Sequence, residues 1–337
     1  MDKFIGNGRT IAILLVILAL AATLRLISLD RVPPGMNVDE ASVAWNAYTL
    51  LKTGKDQHGV RWPIFYFRQF GQNPPAIFLY VLLPFQAIGG LNLWTTRLPA
   101  AVGGVMTVLL IYFVGARLFG SATGLVAAAM LAINPWHLQM SRLDGWDPLM
   151  VMASLAALLG ANMPLNENEE RRRPRPVMAG LAGALAGICC YGYWAVRLFL
   201  PIFLIGAVLV TWRGWWEHLR TREGALAISA FVVAGMVTFC PLLWSHVVDP
   251  ETGMRAQVVG WVWNESDTLV EKVGKALSRY PGHFGPEFLF IHGDRDPALS
   301  PPDGTGLFYW YDLPLIDRKS TRLNSSHIQK SRMPSSA

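Results

Sequence analysis

Two adjacent carboxylates, Asp39 and Glu40, stand in the stretch PPGMNVDEASVAWNAY, residues 33–48, directly after the first long apolar run. Neighbouring acids at the mouth of a membrane helix cost solvation energy and mark candidate sites of function. A carboxylate held there can accept a proton from an attacking hydroxyl, because desolvation raises its proton affinity. Both acids also fall where the following helix begins, and the helix dipole favours negative charge in that first turn. Catalysis and capping therefore both fit the residues.

Further acids, Asp144 and Asp147, lie in SRLDGWDP, residues 141–148, with Arg142 five positions before Asp147. An anionic leaving group needs cations. Arg61, Arg68 and Arg142 are candidates to hold it, as are Arg25, Arg97 and Arg197, although such arginines also snorkel to lipid headgroups. His58 in KDQHG and His283 in YPGHFG could each bind a divalent metal or a substrate hydroxyl, or be ordinary surface histidines.

The elements that must position these groups are apolar helices. The chain of 337 residues is 52% hydrophobic and 15% charged, with a mean hydropathy of +0.32. Soluble domains carry about 25% charged residues. Apolar segments of roughly 17–23 residues match the hydrocarbon core at 1.5 Å rise per residue. Thirteen Trp and nine Tyr suit many membrane–water boundaries. The net charge of +6 gives no nucleic-acid signal: Arg318, Lys319, Arg322, Lys330 and Arg332 supply most of it, and the other 24 basic residues face 23 acids. Cys189, Cys190 and Cys240 fall in apolar runs, have no disulfide or metal spacing, and read as buried inert thiols.

Spans are expected at 10–29, 93–116, 121–140, 148–163, 177–193, 198–212 and 224–243. The first lacks a small-residue cleavage site and is too long for a signal-peptide core. A helix over 40–51, with an apolar stripe from Val43 to Leu51 and Gly54 as its stop, suits the membrane surface. Segment 74–90 is apolar but short and holds Pro84. If it does not cross, Arg117, the cluster Arg171, Arg172, Arg173 and Arg175, and Arg213, Arg220 and Arg222 all lie inside. It therefore reads as interfacial or re-entrant. That parity puts outer loops at 30–92, 141–147 and 244–307 on one face. The small-residue pattern Ala179 to Gly187 allows close helix packing. A further span starts near 308. From residue 317 the apolar character ends, and 317–337 reads as a non-native or disordered tail, which would make the chain an N-terminal fragment.

The Asp-Glu pair, the RWP (61–63) and PP (74–75) stretches after it, and NPWHLQMSRLDGWDP (134–148) together resemble polytopic lipid-dependent glycosyltransferases. Within that group they are similar to the protein O-mannosyltransferase and aminoarabinose-lipid A transferase superfamily, the GT-C fold. HFGPEFLFIHGD (283–294) and GTGLFYWYDLPL (304–315) look like an outer loop of bacterial members. The resemblance implies a polyprenyl-phosphate sugar donor, attack by an acceptor hydroxyl or phosphate on C1 with inversion, and a polyprenyl phosphate leaving group. By the same resemblance Asp39 is the general base, Glu40 a carboxylate that either supports the site from behind or positions the acceptor, and Asp147 the second outer-loop acid, with Asp144 as its competitor. The aminoarabinose branch carries a lysine just before the proline that opens the interfacial helix; here that place reads Gln72-Asn73-Pro74.

The expectation is thus an all-α, polytopic membrane helical bundle with its site at the outer face of a bacterial inner membrane. Its partners would be the lipid-linked donor, membrane lipid, and a protein, lipid or glycan acceptor. A divalent metal is a candidate cofactor of unknown site. A flippase of a lipid-linked substrate is the rival reading, but transporters place charges at the midplane, whereas these acids cluster in loops. A noncatalytic membrane subunit is a third reading.

Overall fold

The computed structural model describes residues 8–71, 73–143, 175–210, 212, 216, 219–253, 267–293 and 306–313. Asp144 and Asp147 lie outside the described residues, as does the expected span 148–163. The order of α-helices is α1 (Gly8–Leu26), α2 (Val38–Thr53), α3 (Ile77–Gly89), α4 (Leu93–Phe119), α5 (Ser121–Ile133), α6 (Pro135–Met140), α7 (Pro176–Cys189), α8 (Trp194–Val210), α9 (Arg222–Val248) and α10 (Leu269–Arg279). No strand occurs among the described residues; two isolated bridges, Lys55–Arg61 and Tyr66–Pro75, fold the loop after α2 back on itself. The protein is an all-α membrane bundle. Helices α1, α4 and α9 are long and apolar enough to cross a membrane, and α3, α5, α7 and α8 are shorter apolar helices.

Residues 1–133 and 137–264 form one compact unit. In it, α1, α4 and α5 close around Ile17, Ala21, Val108, Tyr112, Ala128 and Ala132. The stripe Val43, Ala44, Ala47 and Leu50 of α2 is buried against Leu79 and Leu82 of α3 and against Phe67. Gln86 donates to the Ala44 carbonyl at 3.0 Å and pins the two helices together. That stripe therefore packs on protein.

Helix α7 meets α9 through small residues. A Cβ on Gly187 would lie 2.9 Å from the Gly235 carbonyl oxygen and against Thr238 Oγ1, and one on Gly183 would strike the Phe231 backbone. The backbones approach this closely because these positions have no side chain. Cys189 and Cys190 are buried in this core, whereas Cys240 is exposed on α9. For Cys240 the sequence expectation of burial is corrected: an apolar run says nothing about which face meets protein.

Residues 134–136 and 265–337 form a second unit. Its described part holds α10, two 3₁₀ turns, Tyr280–Phe284 and Trp310–Asp312, and a π turn at Glu287–His292. Asn134 donates to the Leu307 carbonyl at 2.8 Å, and Phe290 stacks on Trp310 at 5.4 Å.

Candidate active site

Helix α2 begins where its sequence says it should. Asn37 is the N-cap in extended backbone, and it exchanges hydrogen bonds with Glu40: Glu40 N–H donates to Asn37 Oδ1 at 2.6 Å, and Asn37 N–H donates to Glu40 Oε2 at 3.0 Å. This is a capping box, which satisfies two helix-end donors reciprocally. At the other end Gly54 adopts φ 69°, a left-handed value that favours glycine, and returns its N–H to Leu50. The box orients Glu40 inward. Its carboxylate takes two bonds from Arg97 of α4, from Nε at 2.7 Å and from a terminal nitrogen at 2.9 Å. Both side chains are essentially sealed from solvent, at 0% and 1% exposure.

Arg97 also donates to the carbonyls of Leu29, Pro33 and Gly35. One guanidinium thus holds the whole turn between α1 and α2. Glu40, expected among the catalytic carboxylates, is a buried structural partner of Arg97. Both its oxygens are occupied, by the Arg97 guanidinium and the Asn37 N–H.

Asp39, one residue earlier, points elsewhere because successive helical positions are rotated by about 100°. It is exposed. Its Oδ1 accepts a bond from Gln69 Nε2 at 2.5 Å, and among the described residues Oδ2 has no hydrogen-bond partner. A reactant could approach that oxygen while the other is held.

Gln69 is supplied by the folded loop between α2 and α3. Phe67 N–H donates to the Pro74 carbonyl at 3.0 Å, and Phe67 is buried beneath it. Two side chains of this loop reach the segment after α9. Tyr66 OH donates to Asp249 Oδ2 at 2.6 Å and lies 3.3 Å from Glu251 Oε2, and Arg68 binds Glu251 through two nitrogens at 2.9 and 3.0 Å. Burial, reinforced by the Asp249 carboxylate, holds the Tyr66 phenol above its ordinary range. The Arg68 hydrogen bonds hold the Glu251 carboxyl below its own. Gln69, Tyr66, Asp249 and Glu251 were not singled out in the sequence. An amide has no distinctive spacing, but the acids of DPE, residues 249–251 at the close of a long apolar run, were a usable signal.

The remaining candidates separate by what they touch. Arg142 donates to the carbonyls of Leu24, Ile27, Ser28 and Val32, so it closes the C-terminal end of α1. Burial and the nearby Arg97 charge lower its proton affinity. Its donors serve the backbone. Arg25 reaches the Ala132 carbonyl at 2.9 Å and His137 at 2.8 Å. Arg61 is exposed beside the Lys55 bridge. His58 is exposed in a turn closed by Asp56, whose Oδ1 accepts from the His58 and Val60 amides. His283 belongs to the second unit, exposed and edge-on to Phe288.

Arg197 differs from these. It stacks on Trp194 at 3.7 Å and donates to the Cys190 carbonyl and to His246 Nε2 at 3.0 Å, with no carboxylate partner among the described residues. His246 Nδ1 faces the Leu242 carbonyl, so Nδ1 carries the hydrogen and Nε2 accepts from Arg197. A neutral imidazole leaves the guanidinium charge uncompensated. No group of three His, Cys, Asp or Glu side chains that could hold a metal occurs among the described residues.

These elements bring the loop after α2, the turn before α8 and the segment after α9 to one end of the larger unit, through Tyr66–Asp249, Phe65–Tyr191 and Arg197–His246. A model of the dolichyl-phosphate-mannose-protein mannosyltransferase family matches residues 72–244, just over half of the sequence. The chain belongs to this mannosyltransferase family. It is 25% identical over 190 residues to YycA of Bacillus subtilis, provisionally named a mannosyltransferase, covering 56% of this chain and 26% of that protein. It also superposes on the crystal structure of ArnT from Cupriavidus metallidurans bound to undecaprenyl phosphate. The TM-score there is 0.53 at 18% identity, over 81% of this chain and 50% of ArnT. That likeness shows the fold, the GT-C membrane glycosyltransferase architecture. The chain thus spans about a quarter of YycA and half of ArnT, whereas the family model falls almost wholly on the unit that carries Asp39, Gln69 and Arg197.

Proposed function

We propose that this mannosyltransferase-family chain carries the donor side of a lipid-linked glycosyltransferase. It moves a hexosyl or pentosyl group from polyprenyl phosphate to a hydroxyl or phosphate of a protein, lipid or glycan, at the outer face of a bacterial inner membrane. The observation that carries this reading is Asp39: exposed, fixed at Oδ1 by Gln69 and open at Oδ2. In the reaction the acceptor oxygen attacks C1 from the face opposite the phosphate. The new C1–O bond forms as the C1–O(phosphate) bond breaks, and C1 inverts. The acceptor proton passes to Asp39 Oδ2, and the electron pair leaves with the polyprenyl phosphate. General-base help of this kind contributes about 10²–10⁴-fold.

The leaving phosphate requires positive charge. Arg197 suits this role because its charge is unpaired and its planar fork matches phosphate oxygens. A divalent metal at that phosphate would supply Lewis acidity, but no group of three side chains that could hold one occurs among the described residues, and Asp144 and Asp147 lie outside them.

The test is transfer of labelled mannose from undecaprenyl phosphate mannose by the full-length protein in proteoliposomes. Asp39→Asn is expected to lower kcat at least 10²-fold while membrane insertion is unchanged. Turnover retained within threefold of wild type would overturn the base assignment.

A further inference from the structure

We infer that Glu251, in the segment after α9, is a positioning residue for Asp39, acting through the loop that carries Gln69. The inference rests on the reading of Asp39 as the base. Glu251 touches neither Asp39 nor Gln69, yet it fixes the residues on either side of Gln69. On one side Arg68 is bound through two nitrogens to the carboxylate; on the other Asn73 Nδ2 donates to the Glu251 carbonyl at 3.2 Å. Tyr66 adds a third link through Asp249, whose Oδ1 in turn accepts the Glu251 N–H at 3.0 Å.

Between these anchors the backbone is held in uncommon conformations. Phe70 and Asn73 both have φ 46°, a left-handed value at non-glycine residues. Such positions cost of order 1–3 kcal/mol each and persist only where the surroundings over-determine them. Here the surroundings are the Glu251 contacts together with the Phe67–Pro74 backbone bond and the Tyr66–Pro75 bridge.

The Gln69 amide shows what the strain secures. Its side chain is 4% exposed, Nε2 faces Asp39, and Oε1 is buried without a partner. A buried acceptor without a donor is unfavourable by about 1–3 kcal/mol. Turning the amide over would set Oε1 against the Asp39 carboxylate. The amide therefore has one useful orientation, and its location is set by a loop whose outer attachment is Glu251.

The Arg68–Glu251 pair is half-exposed, with side chains 53% and 35% accessible. Pairs of that kind contribute little to stability. Its loss should consequently be read in catalysis far more than in unfolding. Displacing a reacting group by about 1 Å can lower a rate about 10²-fold.

Charge reversal in the full-length protein separates these effects, with undecaprenyl phosphate mannose as the donor probe and hydrogen exchange as a second readout. Arg68→Glu and Glu251→Arg are each expected to lower kcat about tenfold or more, with donor KM within threefold of wild type, and to raise amide exchange across 66–73. The double swap should restore both. In a Gln69→Ala background, Glu251→Arg should cause no further loss of kcat, because the two act in one line. A double swap without recovery, an additive loss in Gln69→Ala, or unchanged exchange across 66–73 would overturn the inference. Failure of the underlying reading looks different. An active Asp39→Asn removes the base assignment, and a wild type that ignores the probe removes the donor assignment. The exchange measurements report in either case whether Glu251 anchors the loop.

Discussion

Asp39 and Glu40 sit side by side in the chain, and their surroundings divide the roles between them. Glu40 and Arg97 form a sealed pair, and removing one partner leaves an uncompensated buried charge, which is destabilising by about 3–5 kcal/mol. Glu40→Ala should therefore lower the detergent-phase melting temperature steeply, whereas Asp39→Ala, which removes one hydrogen bond at an exposed carboxylate, should cost only about 0.5–1.5 kcal/mol. Circular-dichroism melts of the two variants measure this; equal losses would contradict the assignment. The dipeptide and its place at a helix start were legible in the sequence. Its division was not, because the partner that buries Glu40 is 57 residues away. Arg142 went the same way: its type suggested a phosphate ligand, and only the fold shows four backbone carbonyls around it.

At the scale of elements, the contact between α7 and α9 depends on missing side chains. Gly187→Ala should destabilise by about 1–3 kcal/mol, since the added methyl meets the Gly235 carbonyl and Thr238. Gly206→Ala on α8 has open space around the new methyl and should gain up to about 1 kcal/mol from helix propensity. Opposite signs for the two variants in a thermal-shift series are the expected result. The Ala-Gly pattern of α7 announced close packing in advance, because small residues at helical spacing have few other uses in an apolar segment. The folded loop that delivers Gln69 was not announced. Its shape comes from left-handed Phe70 and Asn73; Asn is enriched in that conformation, but Phe carries no signal for it.

For the whole molecule, charge parity along the sequence predicts that the loop after α1 lies outside and residues 166–176 inside. The links between Tyr66 and Asp249 and between Arg197 and His246 bring the loop after α2, the start of α8 and the end of α9 together within the larger unit. A cysteine at the exposed Gln57 should react with a membrane-impermeant maleimide applied to intact cells. A cysteine at Asn168 should react only after permeabilisation. The reverse pattern would place the Asp39 site on the cytoplasmic side.

The grip of Arg97 on the turn before α2 also has a consequence in time. During synthesis Asp39 emerges well before Arg97, and α1 can enter the membrane with its outer turn still unformed. The carbonyls of Leu29, Pro33 and Gly35 and the Glu40 carboxylate acquire their cation only when α4 is inserted. An arginine that enters a bilayer alone is unfavourable by about 2.5–3.5 kcal/mol, so the waiting Glu40 in turn gives α4 a reason to settle. Assembly of the turn that carries Asp39 and insertion of α4 are thus one event. A nascent chain arrested before residue 97 would carry Asp39 with no fixed place to hold it.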